Sequence, residues 1–132
     1  MRNRIIGIAA ALIGVFLLGY IPEAVKASHL NTELRQSRSA LAGADLRDSI
    51  ALAYLQANQK NYGLAAETCG RFFNRARAAA ADTDDAARRK AIEELLATRD
   101  RITAELAKGD AAVIGDLQDL FLKTRTATGS GL

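Results

Sequence analysis

The chain has 132 residues, a formal net charge of +3, 5% aromatic residues, no tryptophan and one cysteine, Cys69. Arg2 and Arg4 supply two of the positive charges, so the remainder is near neutral and has no electrostatic reason to seek nucleic acid. Sparse aromatics leave no stacking platform for bases, and a single cysteine excludes both a disulfide framework and a cysteine-rich metal site.

The first element is Ile5–Ile21, IIGIAAALIGVFLLGYI, without a charged residue. About 20 apolar residues are needed to cross a bilayer as a helix. The stretch is slightly short, but Tyr20 suits the headgroup level and Arg4 can snorkel at the other side. It predicts a transmembrane anchor. Arg2 and Arg4 before it set the N-terminus in the cytoplasm and carry the rest outward, which in a Gram-negative cell means the periplasm. The alternative is a cleaved secretory signal, with Val25-Lys26-Ala27 offering small residues at the positions a signal peptidase reads before Ser28. The apolar run exceeds a usual signal core of about 7–15 residues, which favours retention. Gly7, Ala11 and Gly14 lie near one face of this segment and allow close packing of two membrane helices.

Pro22 is placed to open the next helix, 23–42. Ala27, Leu30, Leu34, Ser37 and Leu41 follow in steps of three and four, a narrow heptad seam. It could pair with another chain, but packing on its own domain is expected. Gly43 reads as a C-terminal cap and Asp45 as the cap of a helix over about 45–58, with Asp48 in its first turn. That helix shows an apolar face of Leu46, Ile50, Ala53, Tyr54 and Ala57.

After the polar break 58–61, Asn61 can cap a helix over 61–80, whose face runs Tyr62, Ala65, Cys69, Phe72, Phe73 and Ala76. Asp82 or Thr83 is expected to start another, with Asp84 and Asp85 in its first turn and a stripe of Ile92, Leu95, Leu96, Ile102 and Leu106. Arg99 falls oddly near the middle of that stripe and is expected to snorkel or pair with an acid. Lys108-Gly109-Asp110 is a stop and restart. The last helix carries Val113, Ile114, Leu117, Leu120 and Phe121 and ends near Lys123, with residues from Thr124 expected to fray and 126–132 disordered.

The pattern predicts an all-α chain: a transmembrane helix in 1–22, then a small antiparallel bundle or stacked hairpins of about four helices in 23–125. At about 46–79 it resembles one tetratricopeptide-type hairpin. Ala53 would be the small residue of its first helix, Asn61-Tyr62 the turn, Ala65 the close-packing small residue and Phe72 a later apolar position. Gln56 departs from that pattern where an aromatic is usual, no proline closes the unit, and no second copy is evident. In layout the chain also resembles short bacterial inner-membrane proteins with one N-terminal anchor and a helical periplasmic domain. That likeness implies no active residues.

Few residues suggest chemistry. His29, the sole histidine, has Glu23 and Glu33 at helical spacing, short of the three or four converging ligands zinc wants. Cys69 sits among core candidates and is expected to be buried, although exposed it could bridge two copies in an oxidising compartment. Glu93, Glu94, Asp100 and Glu105 with Arg99 and Arg101 read as a solvated face of mixed sign. Arg71, Arg75 and Arg77, with Arg88, Arg89 and Lys90, could form a small basic patch for an acidic partner or anionic lipid heads. Helix-dipole placement and the balancing Asp82, Asp84 and Asp85 are the simpler account. No phosphate loop, nucleophile elbow, metal motif or cofactor site is present in the sequence. The expectation is a non-catalytic, membrane-tethered interaction or scaffold module whose partners are lipid and either another protein or a second copy; the alternative is a secreted helical binding protein or chaperone released after Ala27.

Overall fold

A computed structural model describes the backbone of residues 2–129, and the side chains of Ile13 and of residues 26–129. The chain is all-α, with five helices in order: α1 (Arg2–Asn58), α2 (Tyr62–Asp82), α3 (Ala86–Leu96), α4 (Arg99–Lys108) and α5 (Val113–Ala127). It divides into two units, Met1–Ser37 and Arg38–Leu132. Among the described residues no helix is long and apolar enough to cross a membrane. The expected anchor, with Gly7, Ala11 and Gly14, has its side chains outside the described residues, Ile13 excepted.

In the first unit, α1 is helical and every side chain from Lys26 to Ser37 is exposed. Thr32 turns its hydroxyl back onto the Ser28 carbonyl, 2.9 Å away, a helix-internal bond that offers nothing to a partner.

The second unit is a helical bundle. Expected boundaries at Gly43 and Asp45 do not exist, because α1 runs through both. Gly43 is buried in mid-helix, and a Cβ there would stand 3.1 Å from Thr128 Cβ. Glycine serves close approach there, with the helix continuing past it. Asp45 supplies its carbonyl to Ser49 Oγ at 2.7 Å, an ordinary mid-helix bond. Leu46, Ile50, Ala53 and Ala57 of α1 enter the core as their spacing requires.

The true end of α1 is a tight turn. Lys60 N–H donates to Ala57 O and Asn61 N–H to Gln56 O, both at 2.9 Å, with Lys60 at φ 60°. Asn61 then caps α2, its side chain accepting from Leu64 N, as the sequence predicts. α2 buries Ala65, Cys69, Phe72, Phe73 and Ala76, and Phe72 meets Phe73 edge to face at 5.1 Å. Each phenylalanine contributes roughly 1.5–3 kcal/mol by leaving water.

α2 packs on α3 and α4, and both of these pack on α5. α3 starts later than expected. Asp85 is its cap, accepting from Ala87 N at 2.9 Å and Arg88 N at 3.2 Å, while Thr83 supports the turn by accepting from Asp85 N. The single helix expected over 83–108 is two, broken at Ala97-Thr98, where Thr98 Oγ1 donates to Leu95 O at 2.7 Å. The break accounts for Arg99. Ile92 and Leu95 are buried before it, Ile102 and Leu106 after it, and the offset turns Arg99 out to solvent.

Gly109 closes α4 with φ 65°, and Asp110 N–H reaches back to Glu105 O, as the stop signal implies. α5 outlasts its expected end. Thr124 and Thr128 are buried, each hydroxyl donating to the carbonyl four residues earlier at 2.7 Å. Arg47 Nη1 donates to Thr128 Oγ1 at 2.9 Å and ties the C-terminal end of α5 to α1. The expected fraying therefore does not begin at Thr124; Ser130, Gly131 and Leu132 lie outside the described residues.

Candidate interaction surface

The seam expected to be covered is exposed along its length. Ala27, Leu30, Leu34, Ser37 and Leu41 are all exposed, with Leu30 at 66%, Leu34 at 49% and Leu41 at 68%. Large apolar side chains repeated along one helix are the feature of this surface that most needs explaining. Written as a heptad, Ala27, Leu34 and Leu41 take the a places and Leu30 and Ser37 the d places. The flanking g places are Lys26, Glu33 and Ala40, and the e places are Asn31, Arg38 and Asp45.

The basic residues do not form one patch. Arg71 and Arg75 are one turn apart on α2, while Arg77 lies about 200° round the helix from Arg75. Arg71 donates to Thr68 Oγ1 at 3.0 Å and Arg75 to Ser49 Oγ at 3.1 Å. Arg88 and Arg89 are engaged with backbone. Arg88 Nη2 donates to Ser39 O at 2.9 Å, and Arg89 holds Ala80 O and Thr83 O at the C-terminal end of α2, where a cation meets the negative end of the dipole.

Compared with known proteins, the chain matches no family model, no curated protein and no solved structure.

Cys69 is buried, and burial pushes its thiol up to about 12, so it packs as a small apolar group. His29 is exposed, and among the described residues no three of His, Cys, Asp and Glu gather as metal ligands.

One polar cluster escapes a reading by sequence. Glu105 of α4 and Asp116 of α5 meet side chain to side chain, with Arg101 Nε 3.2 Å from Asp116 Oδ2. Among the described residues no N–H or O–H donor reaches the buried Glu105 Oε2. Burial raises the Glu105 pKa, and the hydrogen bond and negative charge of Asp116 raise it further, against the opposing charge of Arg101. Glu105 and Asp116 each directly precede a buried leucine, Leu106 and Leu117. That position on the shoulder of each stripe is the signal by which the pair could have been found.

Proposed function

We propose that the chain is a non-catalytic, membrane-tethered helical interaction module, acting as an accessory or scaffold subunit of an envelope assembly. The observation that carries this reading is the uncharged Ile5–Ile21 run directly after Arg2 and Arg4. The N-terminus lies in the cytoplasm, the segment crosses a bacterial inner membrane once, and the bundle stands in the periplasm. Two further observations support a binding role. Arg47, Arg71, Arg75, Arg88 and Arg89 donate to the bundle's own carbonyls and hydroxyls, and its one thiol is buried. The exposed leucines Leu30, Leu34 and Leu41 lie in a helical repeat along α1.

Alkaline carbonate extraction of membranes, with a reporter fused to Leu132, tests the proposal. The chain stays in the membrane pellet, and the reporter is active only if it folds outside the cytoplasm. Release into the supernatant overturns the tether. An intact mass lacking residues 1–27 converts the reading to that of a secreted binding protein.

A further inference from the structure

We infer that residues 27–41 form a parallel, two-stranded coiled coil with a second copy of this chain. The inference rests on the membrane-tethered reading and names the partner of that exposed seam. Three observations select the partner. The first is the repeat. Ala27, Leu30, Leu34, Ser37 and Leu41 follow the 3.5-residue period by which two supercoiled helices keep one seam facing the other, and all five are exposed.

The second is the width of the stripe. The e and g places hold Lys26, Asn31, Glu33, Arg38 and Asp45, with the small Ala40 as their one apolar member, so every large apolar residue of these turns sits at an a or d place. A stripe confined to a and d suits two strands, since larger bundles need a wider apolar face.

The third is charge. In a parallel pair, a g residue faces the e residue five places later on the partner helix. Glu33 then faces Arg38 of the other copy, and symmetry repeats the contact. An antiparallel pair centred on Leu34 sets Glu33 beside the second copy's Glu33 and gives no opposite-charge contact. The charges therefore choose a parallel arrangement of identical chains, in register. Asp48, at the next a place beyond Leu41 and Ala44, would meet its own like charge and so ends the coil.

Two heptads are short. A coiled coil usually declares itself over about three to four heptads, and an isolated helix of this length is marginal in water. An anchor on each copy, confining both to one plane, raises the effective concentration of the seam and fixes the parallel direction.

Cysteine crosslinking in intact membranes tests the pairing, using the full chain in a Cys69→Ala background. With an added oxidant, Leu41→Cys gives a covalent dimer within minutes, because the coil places Leu41 beside its own symmetry mate. Thr32→Cys, at an outward f place, does so at least about tenfold more slowly. Glu33→Arg weakens the dimer by about five- to tenfold, and adding Arg38→Glu restores it. Equal crosslinking at positions 32 and 41, or no rescue by the double reversal, overturns the inference. A chain that extracts with carbonate yet crosslinks at position 41 removes the tether and leaves the coil. A chain that resists extraction and does not crosslink removes the coil alone.

Discussion

Residues 27–41 and 43–57 of α1 carry the same repeat. The first set is Ala27, Leu30, Leu34, Ser37 and Leu41; the second is Gly43, Leu46, Ile50, Ala53 and Ala57. Both proceed in steps of three and four, yet the first is exposed and the second is buried in the bundle. Between Leu41 and Gly43 the stripe slips by two residues, which is about 200° around a helix. A helical repeat thus announces a face that suits burial, without saying what buries it. The slip also shows that a change of stripe does not require a change of helix.

The sharpest test of that contrast is a pair of truncations. Ile50→Ala removes a fully buried side chain, and equilibrium unfolding followed by circular dichroism should lose about 2–5 kcal/mol. Leu34→Ala should leave the stability of the bundle within about 0.5 kcal/mol, since its side chain is exposed. Equal losses would mean that the exposed stripe is covered by its own bundle after all.

The same contrast sorts what the sequence made legible. The α2 face and the Lys108-Gly109-Asp110 stop were readable because local chemistry and apolar period agree there. Gly43 misled because a glycine coincides with the slip in the stripe, so a site of close packing against Thr128 looks like a helix end. The break at Ala97-Thr98 has neither glycine nor proline. Its one clue was Arg99 standing where an uninterrupted helix would bury it. The end of α5 was missed because threonine counts as polar. Thr124 and Thr128 hide their hydroxyls against carbonyls four residues back and continue the Leu117, Leu120 stripe as if apolar. The Glu105–Asp116 meeting depends on how α4 and α5 pack; within each helix the only mark is the acid's place one residue before a buried leucine.

A second test sits where the stripe changes sides. Thr128→Val keeps the shape of the side chain but removes the acceptor of Arg47 and the hydroxyl bond to Thr124 O. A loss of about 1 kcal/mol is expected in the same unfolding measurement, with earlier hydrogen exchange in the last turn of α5. No loss would show that α5 holds its last turn without α1. At the far end of the buried stripe the sign reverses. Lys60 occupies a left-handed conformation at φ 60°, which costs an L-residue about 1–2 kcal/mol. Lys60→Gly relieves that strain but loosens the unfolded chain, and the melting temperature should rise by the equivalent of about 0.5–1 kcal/mol.

The smallest effect concerns a pair on neither stripe. Glu105 has its pKa raised chiefly by burial and then by Asp116, with Asp110 adding negative charge and Arg101 opposing. The folded protein therefore holds a proton that the unfolded chain releases, and stability falls as pH rises through the folded pKa of Glu105. Below the unfolded carboxyl value the contribution is fully present; in the window above it the contribution fades. Glu105→Gln keeps a donor toward Asp116 and cannot ionise, so its stability should be flat where the natural chain declines. Thermal melts from pH 4 to pH 7 on both proteins read the difference in slope directly. Crosslinking through Leu41→Cys over the same range should not follow that slope, because Glu105 acts on the bundle and the seam lies on another helix. If both move together, the exposed and buried stripes of α1 are energetically one unit, and the separation between them fails.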